Sequence, residues 1–430
     1  MALLEIPRVL ISGFVPSDLI RNFGIGIIHE LRKANHSVAC ATSKTDFISS
    51  AILERLSLRP VACLSSEYLS RNRIGAMACV AASGADFLIV LGVGDLAEAS
   101  SYDQTLAEAL GCKIIALTDK PAKKPFDPRV EIEAEILVAD ENSNSNIGSI
   151  LGSISKSELR CKDVFSASFL NQAANISRSE ILRLSLLVEE NINLAEVEKI
   201  CKLAGKSEIQ KFSYSPKQRK TRIAVARDGC FSGGFADNLL LLRYYGADLV
   251  EFSPISDKSL PDGIGGVYLP APYLKEYAQS LADNKLIRKE IHTFAKKGGV
   301  VFSEGLSTAY LSDSFKFDDT DSFDGVGILP GSANILSSEL KRLEVLIKED
   351  CIFGYPGLVL KGLGCKNWNI KARENILTVF EMSRADYDTI PEGYSPGAQI
   401  ICTFSILHFG TCRVAVNNIV NSAEVFKRIA

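Results

Sequence analysis

The feature that most constrains the fold is a repeated alternation of short apolar runs with segments of helical periodicity. The first half of the chain contains five such runs, namely RVLIS (8–12), SVACAT (37–42), PVACL (60–64), ADFLIVLGV (85–93) and KIIALT (113–118). The segments between them place apolar residues at helical spacing, as residues 18–34 do. Strands that alternate with helices favour a parallel sheet covered on both faces. The sequence therefore predicts a doubly wound α/β domain.

The same alternation restarts after a polar, basic stretch, KSEIQKFSYSPKQRK, at residues 206–220. RIAVARD, ADLVEFSP and GGVYLP are the next strand-like runs, and NKLIRKEIHTFAKKGG between later strands is an amphipathic helix. We predict two domains, 1–205 and 221–430, each with a mainly parallel sheet and joined by a linker at 206–220. Residues 122–178 receive no prediction. The chain becomes less regular after about residue 320, apart from the strand-like run 398–409.

Composition excludes several functional classes. A chain of 430 residues is too long to fold around one ordinary hydrophobic core. Its 47% hydrophobic and 23% charged residues are typical of a globular protein. The net charge of -3 gives no basis for binding nucleic acid or an anionic membrane. The start, MALLEIPRVLISGF, lacks the basic segment of a signal peptide. The 11 scattered cysteines include no C-x-x-C, so we expect free thiols and a cytoplasmic protein.

Several motifs resemble the cobyrinate a,c-diamide synthase family. The resemblance is strongest in GADLVEFSPISDKSLPDG (246–263), GGVVFSEGLSTAYL (298–311) and LSLLVEENINLAEVEKI (184–200), with weaker echoes in TDFIS and LIVLGVGDL. It implies an N-terminal P-loop-NTPase-like sheet followed by a class I glutamine amidotransferase-like domain. It also implies amidation of tetrapyrrole carboxylates with ATP, magnesium and glutamine-derived ammonia.

The resemblance places a phosphate loop at ISGFVPSDLIRNFGIG, where only Ser12 and Gly13 match. Phosphate binding needs converging N–H donors and a lysine. Phe14 and Pro16 stand where the family has glycine and lysine, and proline has no N–H. Asp46 matches an acidic family position. We interpret Ser12, Gly13 and Asp46 as a vestigial nucleotide site, with a variant working site as the alternative.

The expected magnesium ligand is also missing. The family has a carboxylate just after the fourth strand, and Leu91 stands at that position. Asp95 is nearby but displaced, and an aspartate there is more typical of a helix cap than of a ligand. We predict no metal site.

The glutaminase reaction needs a thiolate on a strand-to-helix elbow, a histidine and an oxyanion hole. The family elbow reads Glu-Cys-Gly-Gly, whereas this chain has Glu304, Gly305, Leu306 and Ser307. The nucleophile position is therefore Gly305, and no catalytic residue is predicted. We interpret the flanking serines, Ser303 and Ser307, as turn and helix-cap hydroxyls.

The remaining glutaminase groups are altered as well. A glycine-rich oxyanion segment is replaced by PAPYLKE (270–276), and Asn417 and Asn418 stand about where the catalytic histidine is expected. His408 lies upstream in a strand-like run and is interpreted as a packed or surface imidazole. Cys230 follows a strand but does not match the nucleophile position, so we interpret it as a core residue.

Two hypotheses of different classes follow. The first is a non-catalytic family member that needs no cofactor and either binds a tetrapyrrole or pairs with an active family member or a second copy of itself. The alternative is a working amidoligase with a remodelled site that uses ATP and magnesium.

Overall fold

The computed structural model describes residues 2–120, 124–139, 150–161, 176–209, 221–318, 321–336, 339–365, 367–385 and 387–429. These residues form two compact units, one ending at residue 209 and the other beginning at residue 221. The strand Ser207–Ile209 pairs with Ala2–Leu4, so the start of the predicted linker belongs to the first unit. Residues 210–220 lie outside the described residues. In the part of the chain that is described, no helix is long and apolar enough to cross a membrane.

The described part of the first unit contains nine strands and seven helices. In chain order they are β1 (Ala2–Leu4), β2 (Arg8–Gly13), α1 (Ser17–Lys33), β3 (Val38–Thr42), α2 (Phe47–Ser57), β4 (Ala62–Cys63), α3 (Arg71–Ala82), β5 (Phe87–Leu91), α4 (Tyr102–Leu110), β6 (Lys113–Thr118), β7 (Ile132–Val138), β8 (Ile150–Ile154), α5 (Lys156–Leu159), α6 (Arg178–Asn191), α7 (Leu194–Lys202) and β9 (Ser207–Ile209). Each of the five predicted apolar runs forms a strand. The stretch left without a prediction supplies β7, β8 and α5.

Seven strands of this unit form one parallel sheet in the order β4-β3-β5-β2-β6-β7-β8. Helices α1, α2, α5, α6 and α7 share a core with one face of the sheet, and α3 and α4 pack on the other. The predicted doubly wound sheet is confirmed. Its strands end level with one another, since Leu91 pairs with both Thr42 and Ile11, while Gly13 pairs with Leu117. Ligands of such sheets bind beyond this carboxyl edge.

A buried arginine fastens the opposite, amino end of the sheet. Arg8 begins β2 and is fully buried. Its guanidinium donates to the carbonyl oxygens of Leu110 at 2.7 Å and Gly205 at 2.5 Å, and to Ser207 Oγ at 3.1 Å. Two of these acceptors lie near the C-terminal ends of helices, where the macrodipole favours a cation. Arg8 thereby ties β2 to α4 and to the segment that follows α7.

The described part of the second unit contains fourteen strands and five helices. In chain order they are β10 (Thr221–Ala226), α8 (Asp237–Tyr244), β11 (Ala247–Phe252), β12 (Ile264–Leu269), α9 (Leu274–Asp283), α10 (Lys285–Lys296), β13 (Val300–Glu304), α11 (Ser307–Leu311), β14 (Ser312–Phe317), β15 (Phe323–Asp324), β16 (Leu329–Ile335), β17 (Lys341–Ile347), β18 (Val359–Gly364), β19 (Trp368–Ala372), β20 (Leu377–Arg384), β21 (Tyr387–Gly397), β22 (Ile400–Thr403), β23 (Ile406–His408) and α12 (Arg413–Ile429).

The main sheet of this unit has ten strands in the order β11-β10-β12-β13-β22-β21-β20-β17-β18-β23. The first five are parallel and the rest pair antiparallel, so the prediction of a mainly parallel sheet is wrong for this unit. Strand β17 shows the reason. It alternates exposed or half-buried positions with buried Leu343, Val345 and Ile347, as a strand with one covered face does. A second sheet has the order β15-β14-β16-β19.

The helices of the second unit cover both faces of the parallel strands. Helix α10 begins at Lys285 with Asn284 as its cap, whose Oδ1 accepts the Ile287 N–H at 3.4 Å. Its buried residues Ile287, Ile291 and Ala295 recur every fourth position and join the core with α9. Helices α8 and α12 pack together on the other face. The layers hold β12, β13 and β22 side by side, with Ser303 opposite both Leu269 and Cys402.

Candidate functional site

The predicted elbow lies at the carboxyl ends of the parallel strands in the main sheet of the second unit. Strand β13 ends at Glu304, α11 begins at Ser307, and Gly305 between them has φ of +57°, the left-handed region that favours glycine. A Cβ at this position would lie 3.1 Å from Ala271 Cβ and 3.2 Å from Ile406 Cγ1. The tip of the elbow is therefore enclosed by two apolar side chains from neighbouring strand ends.

The two serines beside the elbow are occupied by internal hydrogen bonds. Ser303 Oγ lies 3.0 Å from Thr308 Oγ1, and Ser307 Oγ donates to the Pro270 carbonyl at 2.5 Å. Both residues are fully buried. Neither caps α11, since the N-cap is Leu306 and makes no side-chain cap bond, so their predicted role as cap hydroxyls is wrong. They fasten the elbow to the strand ends on either side.

The backbone N–H groups at and around the segment that replaces the oxyanion loop are bonded within the chain. The Tyr273 N–H donates to the Cys230 carbonyl at 2.9 Å, and the Gly233 N–H donates to the Ala271 carbonyl at 3.1 Å. The Gly305 N–H reaches the Ser405 carbonyl at 3.4 Å. An oxyanion hole needs donors aimed at the reacting oxygen. These three donors already have acceptors within the chain.

His408 is a packed imidazole, in agreement with its predicted role. It ends β23 with no exposed surface, and its ring centroid lies 4.7 Å from that of Phe235. Its Nδ1 accepts the Gly410 N–H at 3.1 Å, and its Nε2 lies 3.3 Å from Asp237 Oδ2. Both ring nitrogens therefore face groups of the protein interior.

Asn418, which aligns near the expected histidine, is not beside the elbow. Its Nδ2 donates to the Phe353 carbonyl at 3.1 Å, and it lines a cavity of about 540 Å³ together with Lys297 and Gly298. Lys297 and Gly298 precede β13, whereas Gly305 follows it. The cavity thus opens at the amino end of the strand that carries the elbow at its carboxyl end.

Cys230 lies in the core and is not an activated nucleophile. The side chain has no exposed surface, and burial raises the pKa of its thiol well above the ordinary value. The nucleophilic form of cysteine is the thiolate, which such a site disfavours. The structure supports the interpretation of Cys230 as a core residue.

Glu304, on the strand side of the elbow, carries a buried carboxyl group to which sequence analysis assigns no role of its own. Its Oε2 accepts the Tyr268 hydroxyl at 2.5 Å, and its Oε1 accepts the Leu407 N–H at 2.8 Å. Burial raises the pKa of Glu304 to about 8, so the group is mainly a neutral acid at pH 7. It joins β12, β13 and β23 behind the elbow.

The other candidate edge, in the first unit, lies at the β2–α1 turn. The Phe14 N–H donates to the Leu117 carbonyl at 2.8 Å, because the chain crosses the end of β6 directly after Gly13. Pro16 is the N-cap of α1 and provides no side-chain cap bond. Asp18 places an acidic group in the first helical turn. The turn therefore offers few N–H donors and one negative charge to an approaching phosphate.

A carboxylate of the protein lies at this edge. Asp103, in the first turn of α4, accepts hydrogen bonds from the Ser12 and Ser43 hydroxyls. Its Oδ2 also accepts the N–H groups of Val93 at 2.9 Å and Gly94 at 3.0 Å. We refer to these four donors, from Ser12, Ser43, Val93 and Gly94, as the anion cradle. Ser12, one of the predicted nucleotide-site residues, thus already binds an anion of its own chain.

Burial, and after it the nearby charge of Asp95, raise the pKa of Asp103 to about 6, against the lowering effect of the hydrogen bonds from Ser12, Ser43 and Gly94. The group is therefore mainly ionised at pH 7. Sequence reasoning missed Asp103 because the donors come from three separated stretches of the chain. In a sequence, an aspartate at the start of a helix is indistinguishable from an ordinary capping residue, because its short side chain is well suited to that role.

The other acidic residues singled out in the first unit support the starts of helices. Asp46 is the N-cap of α2 and accepts the Ser49 N–H at 2.9 Å. Asp95 accepts the Ser101 hydroxyl at 2.7 Å and the Tyr102 N–H at 2.7 Å, so it supports the start of α4, whose N-cap is Ser101 and not Asp95. Lys44 lies 5.0 Å from the ring centroid of Tyr102. The assignment of Asp46 and Gly13 to a nucleotide site remains a prediction.

These residues do not fit a nucleotide triphosphate with its magnesium ion. The position next to Ser12 is filled by the Asp103 carboxylate, and the Phe14 N–H is bonded to Leu117. Among the described residues, no group of three or more His, Cys, Asp or Glu side chains is arranged to hold a metal ion. We derive no reaction step through ATP or magnesium.

Fold and sites together define a protein of two α/β units: a P-loop-like parallel sheet, and a glutamine amidotransferase-like unit with a strand-to-helix elbow. Residues 222–355 match the family model of the CobB/CobQ-like glutamine amidotransferase domain. The chain is 24% identical to the cobyrinate a,c-diamide synthase of Dehalococcoides mccartyi, over 99% of its length and 100% of that protein. The synthase of Limosilactobacillus reuteri is 30% identical over 51% of this chain and 49% of its own length.

These matches confirm that the chain resembles the cobyrinate a,c-diamide synthase family along nearly its whole length. Among solved structures, PurLQS from Thermotoga maritima aligns with 47% of this chain and 98% of its own at 15% identity and a TM-score of 0.35. We base nothing on a similarity of that size.

Proposed function

We propose that this protein is a non-catalytic relative of the cobyrinate a,c-diamide synthases that acts as a binding or partner subunit in tetrapyrrole metabolism. It takes no nucleotide cofactor. Its ligand is a tetrapyrrole acid, or its partner is an active family member or a second copy of this chain. The similarity to named synthases along the whole chain supports the pathway. The glycine at the tip of the elbow, Gly305, supports the absence of catalysis.

The elbow is the observation that carries this proposal. A glutaminase of this family attacks glutamine with a cysteine thiolate at the tip of the elbow, and here the tip is Gly305. The volume above it is taken by Ala271 and Ile406, at contact distance from where a Cβ would lie. The tip thus has no side chain to act as a nucleophile, and its two neighbours leave little room for one. Removing catalytic groups that act as a unit costs about 10⁴-fold to 10⁶-fold in rate.

The direct test is glutamate release from glutamine by the full chain, with and without a tetrapyrrole dicarboxylic acid and magnesium ATP. We expect no release above the buffer rate. The synthase of Dehalococcoides mccartyi, assayed in parallel, is the positive control. Measurable turnover by this chain would contradict the proposal, and loss of that turnover in Cys230→Ala or Ser303→Ala would identify the group that had been misjudged.

Ligand and partner are tested on protein purified from its own host. A bound tetrapyrrole absorbs visible light, so an absorbance spectrum detects it directly. Light scattering then distinguishes a monomer from a homodimer, and mixing with an active family member tests for a mixed complex. A colourless protein that stays monomeric in both measurements would contradict the proposed role.

The alternative is an amidoligase with a remodelled site that uses ATP, magnesium and free ammonia in place of glutamine. Its support is the coverage of the whole synthase length at 24% identity. Amide formation from a tetrapyrrole acid with ammonium chloride and magnesium ATP, but not with glutamine, would establish this alternative.

A further inference from the structure

We propose that the carboxyl edge of the first sheet is a small-oxyanion site whose resident anion is the carboxylate of Asp103. The anion cradle would accept a formate-like or phosphate-like ion, and the protein fills it with its own side chain. The inference rests on the proposed function only in that both take this edge to be closed to nucleotide.

The cradle is built by three adjacent strands. Ser12 lies near the end of β2, Ser43 follows β3, and Val93 and Gly94 follow β5. The order β3-β5-β2 brings the three strand ends together, with Thr42 and Ile11 both paired to Leu91. Chain segments as far apart as residues 12 and 94 thus direct donors to one point.

All four cradle groups donate to the carboxylate. Two are hydroxyls and two are successive backbone N–H groups, and successive N–H groups in such a turn form an anion-binding concavity. The backbone is shaped for this approach. Gly94 has φ of +85°, and a Cβ on Gly92 would overlap Asp103 Oδ2. Gly92 therefore leaves room for the carboxylate, and Gly94 provides the left-handed backbone of the turn whose N–H groups face it.

The resident carboxylate is held without a cation. In the described ranges, no lysine, arginine or histidine lies within ion-pair distance of Asp103. Its position in the first turn of α4 is favoured by the helix macrodipole. Asp95 fixes that turn by accepting the Ser101 hydroxyl, the Tyr102 N–H and, at 3.3 Å, the Asp103 N–H. The cradle and the helix start together replace the counter-ion that a buried carboxylate normally requires.

The test compares the full-length wild type with Asp103→Ala and Asp86→Ala. Asp86→Ala is the control because it removes a carboxylate of the same unit that accepts the Ser37 N–H at 2.8 Å and makes no bond to the cradle. Thermal unfolding is measured in rising sodium formate, with sodium chloride at equal ionic strength as the reference. We expect both variants to have a lower Tm than the wild type. Formate should give a saturable rise in Tm for Asp103→Ala alone.

Inorganic phosphate is a second probe with a bulkier ion. A rise in Tm with formate or with phosphate in Asp103→Ala supports the inference, and the pattern tells which size of ion the cradle accepts. No rise with either, or an equal rise in all three proteins, overturns it. If Asp103→Ala does not fold, Asp103→Asn replaces it. Asn keeps the shape but loses an acceptor, so stability equal to that of the wild type at pH 7 would overturn the inference.

The outcomes separate this inference from the proposed function. Glutaminase or ligase activity of the wild type would overturn the proposed function. The formate experiment would still decide whether the anion cradle binds a small oxyanion. If the wild type is inactive and neither anion raises the Tm of Asp103→Ala, only the inference about the anion cradle is overturned.

Discussion

The carboxyl group of Glu304 is held in its neutral form between the Tyr268 hydroxyl and the Leu407 N–H. Its pKa in the folded state is about 8, against an ordinary value of 4.5, and burial is the cause. Between these two pH values the folded protein keeps a proton that the unfolded chain has lost. The free energy of unfolding therefore falls as pH rises through this window. Glu392, whose pKa burial raises to about 7, acts with the same sign.

We predict that Glu304→Gln weakens this pH dependence. A glutamine carbonyl can accept the Leu407 N–H while its amide faces the Tyr268 hydroxyl, so the variant keeps both contacts without titrating. One such proton contributes slightly more than ~1 kcal/mol per pH unit. The wild type should therefore lose more stability than the variant between pH 5 and pH 8. Urea unfolding followed by the fluorescence of Trp368, the only tryptophan, reports on the second unit alone.

Glu374 is exposed and lies in the same unit, so Glu374→Gln is the control for the removal of a carboxylate. It should follow the wild-type pH dependence. Equal slopes for the wild type and Glu304→Gln would show that Glu304 does not carry a proton in the folded state at neutral pH.

Sequence reasoning identified positions that depart from the family motifs, but it did not identify the residues that pack against those positions. Gly305, Phe14 and Pro16 could be identified because each stands within a motif where the family has a different side chain. Asp103, Ala271 and Ile406 could not. Their roles depend on contacts between residues far apart in the chain, and no local spacing encodes them.

At the scale of elements, the elbow keeps its strand, its left-handed turn and its helix although the nucleophile is absent. Ala271 follows the end of β12 and Ile406 begins β23, and both pack where a side chain at the tip would project. The turn has become part of the packing between strands. A cysteine restored at its tip would meet these neighbours.

We predict that Gly305→Cys lowers stability and restores no glutaminase activity. A residue other than glycine in the left-handed region costs about 1–2 kcal/mol, and contacts of 3.1 and 3.2 Å add to that cost. Gly263→Cys is the matched control, since Gly263 has φ of +66° and nothing within 4 Å of its Cβ position. Chemical unfolding should show a larger loss for Gly305→Cys. Equal losses would mean that the space above the elbow is open.

Element prediction succeeded where strands were buried on both faces and failed where they had one face covered. The five apolar runs of the first unit were recognisable because continuous burial requires uninterrupted apolar residues. Strand β17 alternates buried positions with exposed or half-buried ones over few residues, which is a weak signal. Strand β7 was missed because Glu133 and Glu135 interrupt its apolar run.

At the scale of the whole molecule, both units follow one pattern. Each retains a sheet whose strand ends converge where family members bind substrates, and each fills that edge with its own side chains. The filling is polar in the first unit, where Asp103 accepts four hydrogen bonds. It is apolar in the second, where Ala271 and Ile406 meet at Gly305. Under the proposed function, these fillings would let each core fold without a ligand.

The last prediction concerns nucleotide binding by the intact protein. We expect magnesium ATP to bind with a dissociation constant above about 1 mM, or less than ~4 kcal/mol of binding free energy. Asp18 and Asp103 place negative charge at the edge, the Phe14 N–H already has an acceptor, and Pro16 has no N–H to offer. Calorimetric titration measures the affinity directly, with the Dehalococcoides mccartyi synthase as the positive control. Micromolar binding that weakens in Arg21→Ala or Lys44→Ala would instead support a remodelled nucleotide site. In that case the first unit would be a working part of an amidoligase, because selective loss on removing one cation requires phosphate held beside that side chain.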